Sequence, residues 1–189
     1  MNNLLLKGRS LNKGFTLIEL LIVIAILAVL AVAVVVVLNP AELLKQARDS
    51  NRISDLGSID KALGIYFYDR ALTSYTATST CTVGITFPGL SSGSCAENAS
   101  TSVTGGGWVV ANLSLISIDS PLSRLPLDPV NNTDNYYAYR GSSTVGKYEI
   151  NANMESSKYS NGGTSDVEDT DGGNVATWYE VGTALNQTW

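Results

Sequence analysis

Histidine is absent from this chain of 189 residues, and other basic residues are scarce. Twelve Lys and Arg stand against 17 Asp and Glu, giving a formal charge of −5. Lack of histidine removes the commonest general acid–base group, and no G-x-S-x-G nucleophile turn takes its place. An exported enzyme is therefore the weakest function class, and the expectation is no catalysis. With only two cysteines and no histidine, a closed four-ligand zinc site lacks its ligands. A chain this acidic offers no broad basic patch to neutralise phosphates, so no nucleic-acid binding is expected from it.

What is present is concentrated near the amino terminus. Met1 to Gly14 carries Lys7, Arg9 and Lys13 and no acid. Phe15 then opens an apolar run interrupted only by Glu19, and Leu20 to Leu38 has no charged or strongly polar side chain. As helix, Phe15 to Leu38 is about 36 Å long at ~1.5 Å per residue, enough to cross a hydrocarbon core of about 30 Å with some tilt. A secretory signal would place its cleavage site after the apolar stretch, next to small residues, and no such boundary occurs here. A plain uncleaved anchor is the simpler alternative, but it gives no reason for a carboxylate at the amino end of the run, and ionisable side chains inside a span are expensive.

Gly14, Phe15, Thr16, Leu17, Ile18 and Glu19, continued by Leu20 and Leu21, resemble the type IV prepilin signal shared by pilins and type II secretion pseudopilins. The resemblance implies that a prepilin peptidase cuts after Gly14 and that the new amino-terminal Phe15 is methylated. It also implies that Glu19, fifth in the mature chain, pairs with the Phe15 amine of a neighbouring copy and sets axial register. The alternative role for Glu19 is to occupy the first helical turn, where the helix dipole favours an acid by roughly 0.3–1 kcal/mol. Implied partners are other copies in a homopolymer, the prepilin peptidase, an inner-membrane platform protein, an assembly ATPase and the membrane. Implied location is the cytoplasmic membrane as a single pass, then an extracellular or periplasmic filament. Many relatives carry a helix-breaking proline where this chain has Val36; here the proline is Pro40, and helix is expected to melt just before it.

Beyond Pro40, Leu44, Ala47, Ile53, Leu56, Ile59 and Leu63 recur at mostly three- or four-residue steps and continue to Tyr66 or Phe67, the stripe of an amphipathic helix. Lys45, Arg48, Asp49, Arg52, Asp55, Asp60 and Lys61 read as its solvated face. The fold class expected is α+β and pilin-like: one long helix with a membrane-spanning and an amphipathic half, packed on a small antiparallel sheet. The divisions are 1–14 as leader, 15–38 as the apolar half, 39–72 as the amphipathic half, 73–135 as an irregular Ser/Thr-rich connection, and 136–189 as sheet and terminal loop.

Cys81 and Cys95 lie in the Ser/Thr-rich connection. They suit a disulfide in an oxidising compartment, contributing roughly 3 kcal/mol, or two free thiols if the domain stays in the cytosol. The disulfide accords with the leader inside and the domain outside. Tyr136 to Arg140, Lys147 to Asn151 and Thr177 to Val181 are aromatic and β-branched runs bounded by turn residues and read as strands. The LPLDP run from Leu125 to Pro129, followed by paired tyrosines, also resembles bacterial pilins and major pseudopilins. Asp166, Glu168, Asp169 and Asp171 form the densest acidic cluster. Some pseudopilins hold calcium in a carboxyl-terminal loop, so these four are candidate calcium ligands; a solvated acidic turn is the alternative. An EF-hand is excluded, because Asn174 stands where the loop needs glycine. No other cofactor is expected. The function expected is a structural subunit of a type IV pilus or pilus-like filament. A secretion pseudopilin and a non-polymerising, membrane-anchored binding module are the alternatives.

Overall fold

A computed structural model describes residues 14–70, 75–84, 86–89 and 94–185. Most of the leader, residues 1–13, lies outside them. The chain forms two compact units that meet in sequence at Pro40.

The first unit is the helix α1, Leu17–Leu38. Its start is specified locally. Thr16 is extended and accepts the Glu19 N–H, while the Glu19 side chain reaches back to the Thr16 N–H, a reciprocal capping box. No residue of α1 is buried, and the helix is long and apolar enough to cross a membrane. In a membrane its run of valines would be held helical, because lipid offers the backbone no partner but itself. The helix ends where Asn39 turns left-handed, at φ 40°, a conformation open to asparagine and glycine but costly to most residues. Pro40 follows as the first residue of the next helix, a position that needs no backbone N–H. The expected single helix is therefore two, and the interruption is one residue: Ala33 to Leu38 stay helical.

The second unit contains helix α2, Pro40–Arg70, and a five-stranded sheet. Its strands are β1 Thr78–Cys81, β2 Ala96–Glu97, β3 Tyr137–Gly141, β4 Tyr148–Ala152 and β5 Tyr179–Gly182. The spatial order is β2-β1-β3-β4-β5. Three pairings are antiparallel, as expected, but β1 and β2 run parallel, so the sheet is mixed. It also begins within the stretch expected to be irregular, because β1 and β2 belong to the Ser/Thr-rich connection.

Alternation along the strands gives the sheet two buried faces. Tyr137, Tyr139, Tyr148, Ile150 and Ala152 join Leu56, Ile59, Ala62, Leu63 and Tyr66 of α2, with Trp108, Leu113 and Leu125 from the connection, in the main core. Each such fully buried aliphatic or aromatic side chain is worth roughly 1.5–3 kcal/mol. Ala138 and Cys81 face the other way and form a second cluster with Phe87, Cys95 and Tyr136, flanked by Val83 and Trp178.

Candidate functional site

The Gly14–Phe15 bond lies ahead of α1, in non-helical and exposed chain, where a protease can bind it in extended form. A methyl group added at Gly14 would meet no atom within 4 Å, and its backbone is not left-handed. Neither space nor backbone conformation requires glycine there. Phe15 is 88% exposed. Glu19 Oε2 accepts from Thr16 N at 2.8 Å and from Thr16 Oγ1 at 2.7 Å, and Thr16 Oγ1 accepts from Glu19 N at 3.3 Å. Gly14, Phe15 and Glu19 therefore stand together at one helix end. Cutting the bond would free an amine one residue from the group that Glu19 already holds.

In the second unit, several charges expected on a solvated face are built into the packing. Asp49 and Arg52, expected on a solvated face, are fully buried. Arg52 Nε and Nη2 donate to the two Asp128 carboxylate oxygens at 2.6 and 2.9 Å, and Nη1 donates to Asp49 Oδ1 at 2.7 Å. Arg52 Nη2 also pairs with Glu155 Oε1 at 2.6 Å, and Arg48 pairs with the same carboxylate at 2.6 Å. Held first by Arg48 and then by Arg52, Glu155 is drawn down to about 2. Asp55 and Asp60 accept from the Tyr137 and Tyr148 hydroxyls, each at 2.8 Å. Conversely, Leu44 and Ala47 are exposed, so the apolar stripe of α2 starts later than its spacing suggested. The first turns use ion pairs instead.

Cys81 and Cys95 are disulfide-bonded, with a Cα–Cα distance of 5.6 Å, and both are buried in the second cluster. The bridge lies on the sheet face turned away from α2, with Phe87 and Ala138.

The four acidic-loop residues each have a place in the chain. Asp166 accepts from the backbone N–H groups of Gly162, Glu168 and Asp169 at 2.7, 2.9 and 3.1 Å, and those bonds hold its carboxyl below the usual range. Glu168 is buried rather than solvated, at 3% exposure. Its two oxygens accept from Met154 N and Asn161 N, each at 2.9 Å, while burial pushes its carboxyl up. Asp171 accepts from Gly173 N at 2.7 Å and Glu180 N at 2.5 Å, and burial raises it as well. Asp169 is exposed. The loop is stapled by carboxylates bonding backbone donors, and among the described residues no group of three or more His, Cys, Asp or Glu is arranged to hold a metal ion.

Residues 9–35 match the family model for the prokaryotic N-terminal methylation motif, the prepilin-type signal of type IV pilins and pseudopilins. No curated protein matches the chain, and neither does any solved structure. The signal implies processing by a prepilin peptidase and handling by pilin-type assembly machinery. Together with α1 it suggests a membrane-anchored, single-pass protein.

Proposed function

We propose that this chain is a structural subunit of a type IV pilus or pilus-like filament, cut after Gly14, methylated on Phe15 and polymerised through α1. The observation that carries the reading is the methylation motif over residues 9–35, set on a helix with every residue exposed in the single copy. An apolar rod of that kind is stable in lipid, or against other rods like it. Burying its surface at ~25 cal/mol per Å² supplies ample cohesion once subunits leave the bilayer. Glu19 then exchanges its own Thr16 N–H for the Phe15 amine of a neighbour, a charge-assisted bond in place of a neutral donor.

The test is Glu19→Ala in the native host, with sheared surface material examined by electron microscopy and the mature terminus by mass spectrometry. Membrane insertion should persist, Phe15 should be found as a methylated terminus, and filament yield should collapse. Normal filament yield, or filaments that retain the leader, would refute the reading. A secretion pseudopilus uses the same helix; a retraction ATPase or an outer-membrane secretin encoded beside the gene distinguishes the two.

A further inference from the structure

On the sheet face turned away from α2, β4 and β5 collect oxygen acceptors without enough donors. Glu149 and Asn151 stand two apart on β4 and share a face, and Asn151 is in register with Glu180 of β5. Their exposures are 4%, 0% and 1%. Asn151 Nδ2 donates to Glu149 Oε1 at 2.9 Å, and Val175 N donates to Glu180 Oε2 at 2.8 Å. Among the described residues, Asn151 Oδ1 and Glu180 Oε1 are buried with no hydrogen-bond donor, although the Glu149 and Glu180 side chains lie within hydrogen-bonding reach of each other. Two further charged groups face this pair. Arg140 of β3 is in register with Glu149 and attracts its charge. Asp171 of the acidic loop accepts the Glu180 N–H and adds negative charge.

Two carboxylates in contact away from water cannot both ionise without a large penalty, and a buried acceptor with no donor adds its own. A single proton relieves the repulsion and satisfies one of the two acceptors, because a protonated Glu149 can donate to Glu180 Oε1. We propose that Glu149 and Glu180 hold one proton between them and that this shared proton latches β5 and the acidic loop onto β4. The environment agrees: burial first, and then the neighbouring Glu180, push the Glu149 carboxyl up to about 8 from an ordinary 4.5, against the pull of Asn151 and Arg140. The folded chain therefore keeps a proton that the unfolded chain releases. The latch is complete below pH 4.5, weakens as pH climbs, and is lost above about pH 8. In a domain displayed outside the cytoplasm, the carboxyl-terminal strand becomes the element that responds to alkaline surroundings. This inference does not depend on the filament reading.

The test is thermal unfolding of the full-length chain in detergent micelles between pH 5 and 9, for the wild type and for Glu149→Gln. The wild-type Tm should fall by about 5 °C or more between pH 6 and 8.5. Glu149→Gln keeps a permanent donor toward Glu180, so its profile should be flat over that window and lie above the wild type at pH 8.5. Equal slopes in the two proteins would overturn the proposal. A second measurement needs no variant: carbon NMR of wild type labelled at glutamate carboxyls should show one group titrating near pH 8. All glutamates titrating below pH 6 would overturn it. So would millimolar calcium that raises the Tm at pH 8.5 and abolishes the slope, since the pair would then hold a cation instead of a proton.

Discussion

Arg52→Met replaces a guanidinium with an apolar side chain of similar length at the point where three segments meet. In the wild type, Arg52 and its partners Asp49 and Asp128 have side chains with no exposure at all. The substitution keeps much of the packing volume but leaves two buried carboxylates facing a thioether. Each retains some backbone support: Asp49 from Glu155 N and Ser156 N, at 3.0 and 2.8 Å, and Asp128 from Val130 N and Asn131 N, at 2.8 and 3.1 Å. Neither keeps its cation. Removing one partner of a buried pair costs about 3–5 kcal/mol, against a total stability of about 5–15 kcal/mol for a domain. The corresponding fall in Tm is about 6–20 °C. Trp108 is a natural reporter, because it is fully buried and donates through Nε1 to Pro126 O at 2.9 Å, beside the segment that Asp128 anchors. Denaturant titration followed by tryptophan emission should show the lower midpoint. Adding Asp128→Leu should return part of the loss, since the pair together is less costly than one stranded member. Arg52→Met within about 1 kcal/mol of wild type would refute the claim that these charges bind the fold together.

Acid should weaken the same cluster. Glu155 is drawn down to about 2 from 4.5 by Arg48 and then Arg52, so its contribution is intact above pH 4.5 and lost as pH falls through 2; Tm should drop over that range and the drop should shrink in Arg48→Met. Reducing the Cys81–Cys95 bridge, or replacing both residues with serine, should lower stability by roughly 3 kcal/mol, read as a shifted denaturant midpoint without loss of membrane insertion. Replacing Thr16 with valine removes the hydroxyl that holds Glu19 and should weaken the first turn of α1 by about 1 kcal/mol, measured as faster hydrogen exchange of the amides from Leu17 to Leu20.

How much of this could be read in advance depends on how local the causes are. The α1 helix was legible because its apolar run occupies consecutive residues, whereas the capping box of Thr16 and Glu19 at its start emerged only in the structure. The strands β3, β4 and β5 were legible to within one or two residues, since Tyr and β-branched residues at alternating positions announce a pleated, buried surface. By contrast, β1 is Thr-Ser-Thr-Cys, whose composition resembles the loops around it, and β2 is two residues long. Those strands exist because β3 offers an edge and the disulfide fixes the returning loop, causes that lie far away in the chain. The charged residues were the least legible. Nothing near Asp49 and Arg52 distinguishes them from Lys61, which stays exposed; only their distant partners do. Glu149 likewise looks like an ordinary outward strand residue until β5 and the loop before it cover that face. At Asn39 the signal was present in the Asn-Pro pair, which ends one helix and starts another within two residues, a tighter break than proline alone suggested.

The long reach of the Arg52 cluster bears on how the polypeptide matures. Arg52 waits for Asp128, 76 positions downstream, and Arg48 for Glu155, 107 positions downstream. As the chain is synthesised from its amino terminus, α2 emerges early with its cations and anions still hydrated and cannot shed that water until the carboxyl-terminal half has followed. Closure of the second unit is thereby deferred to the end of synthesis, and a chain that stops short of Asp128 and Glu155 leaves Arg52 and Arg48 without those two partners.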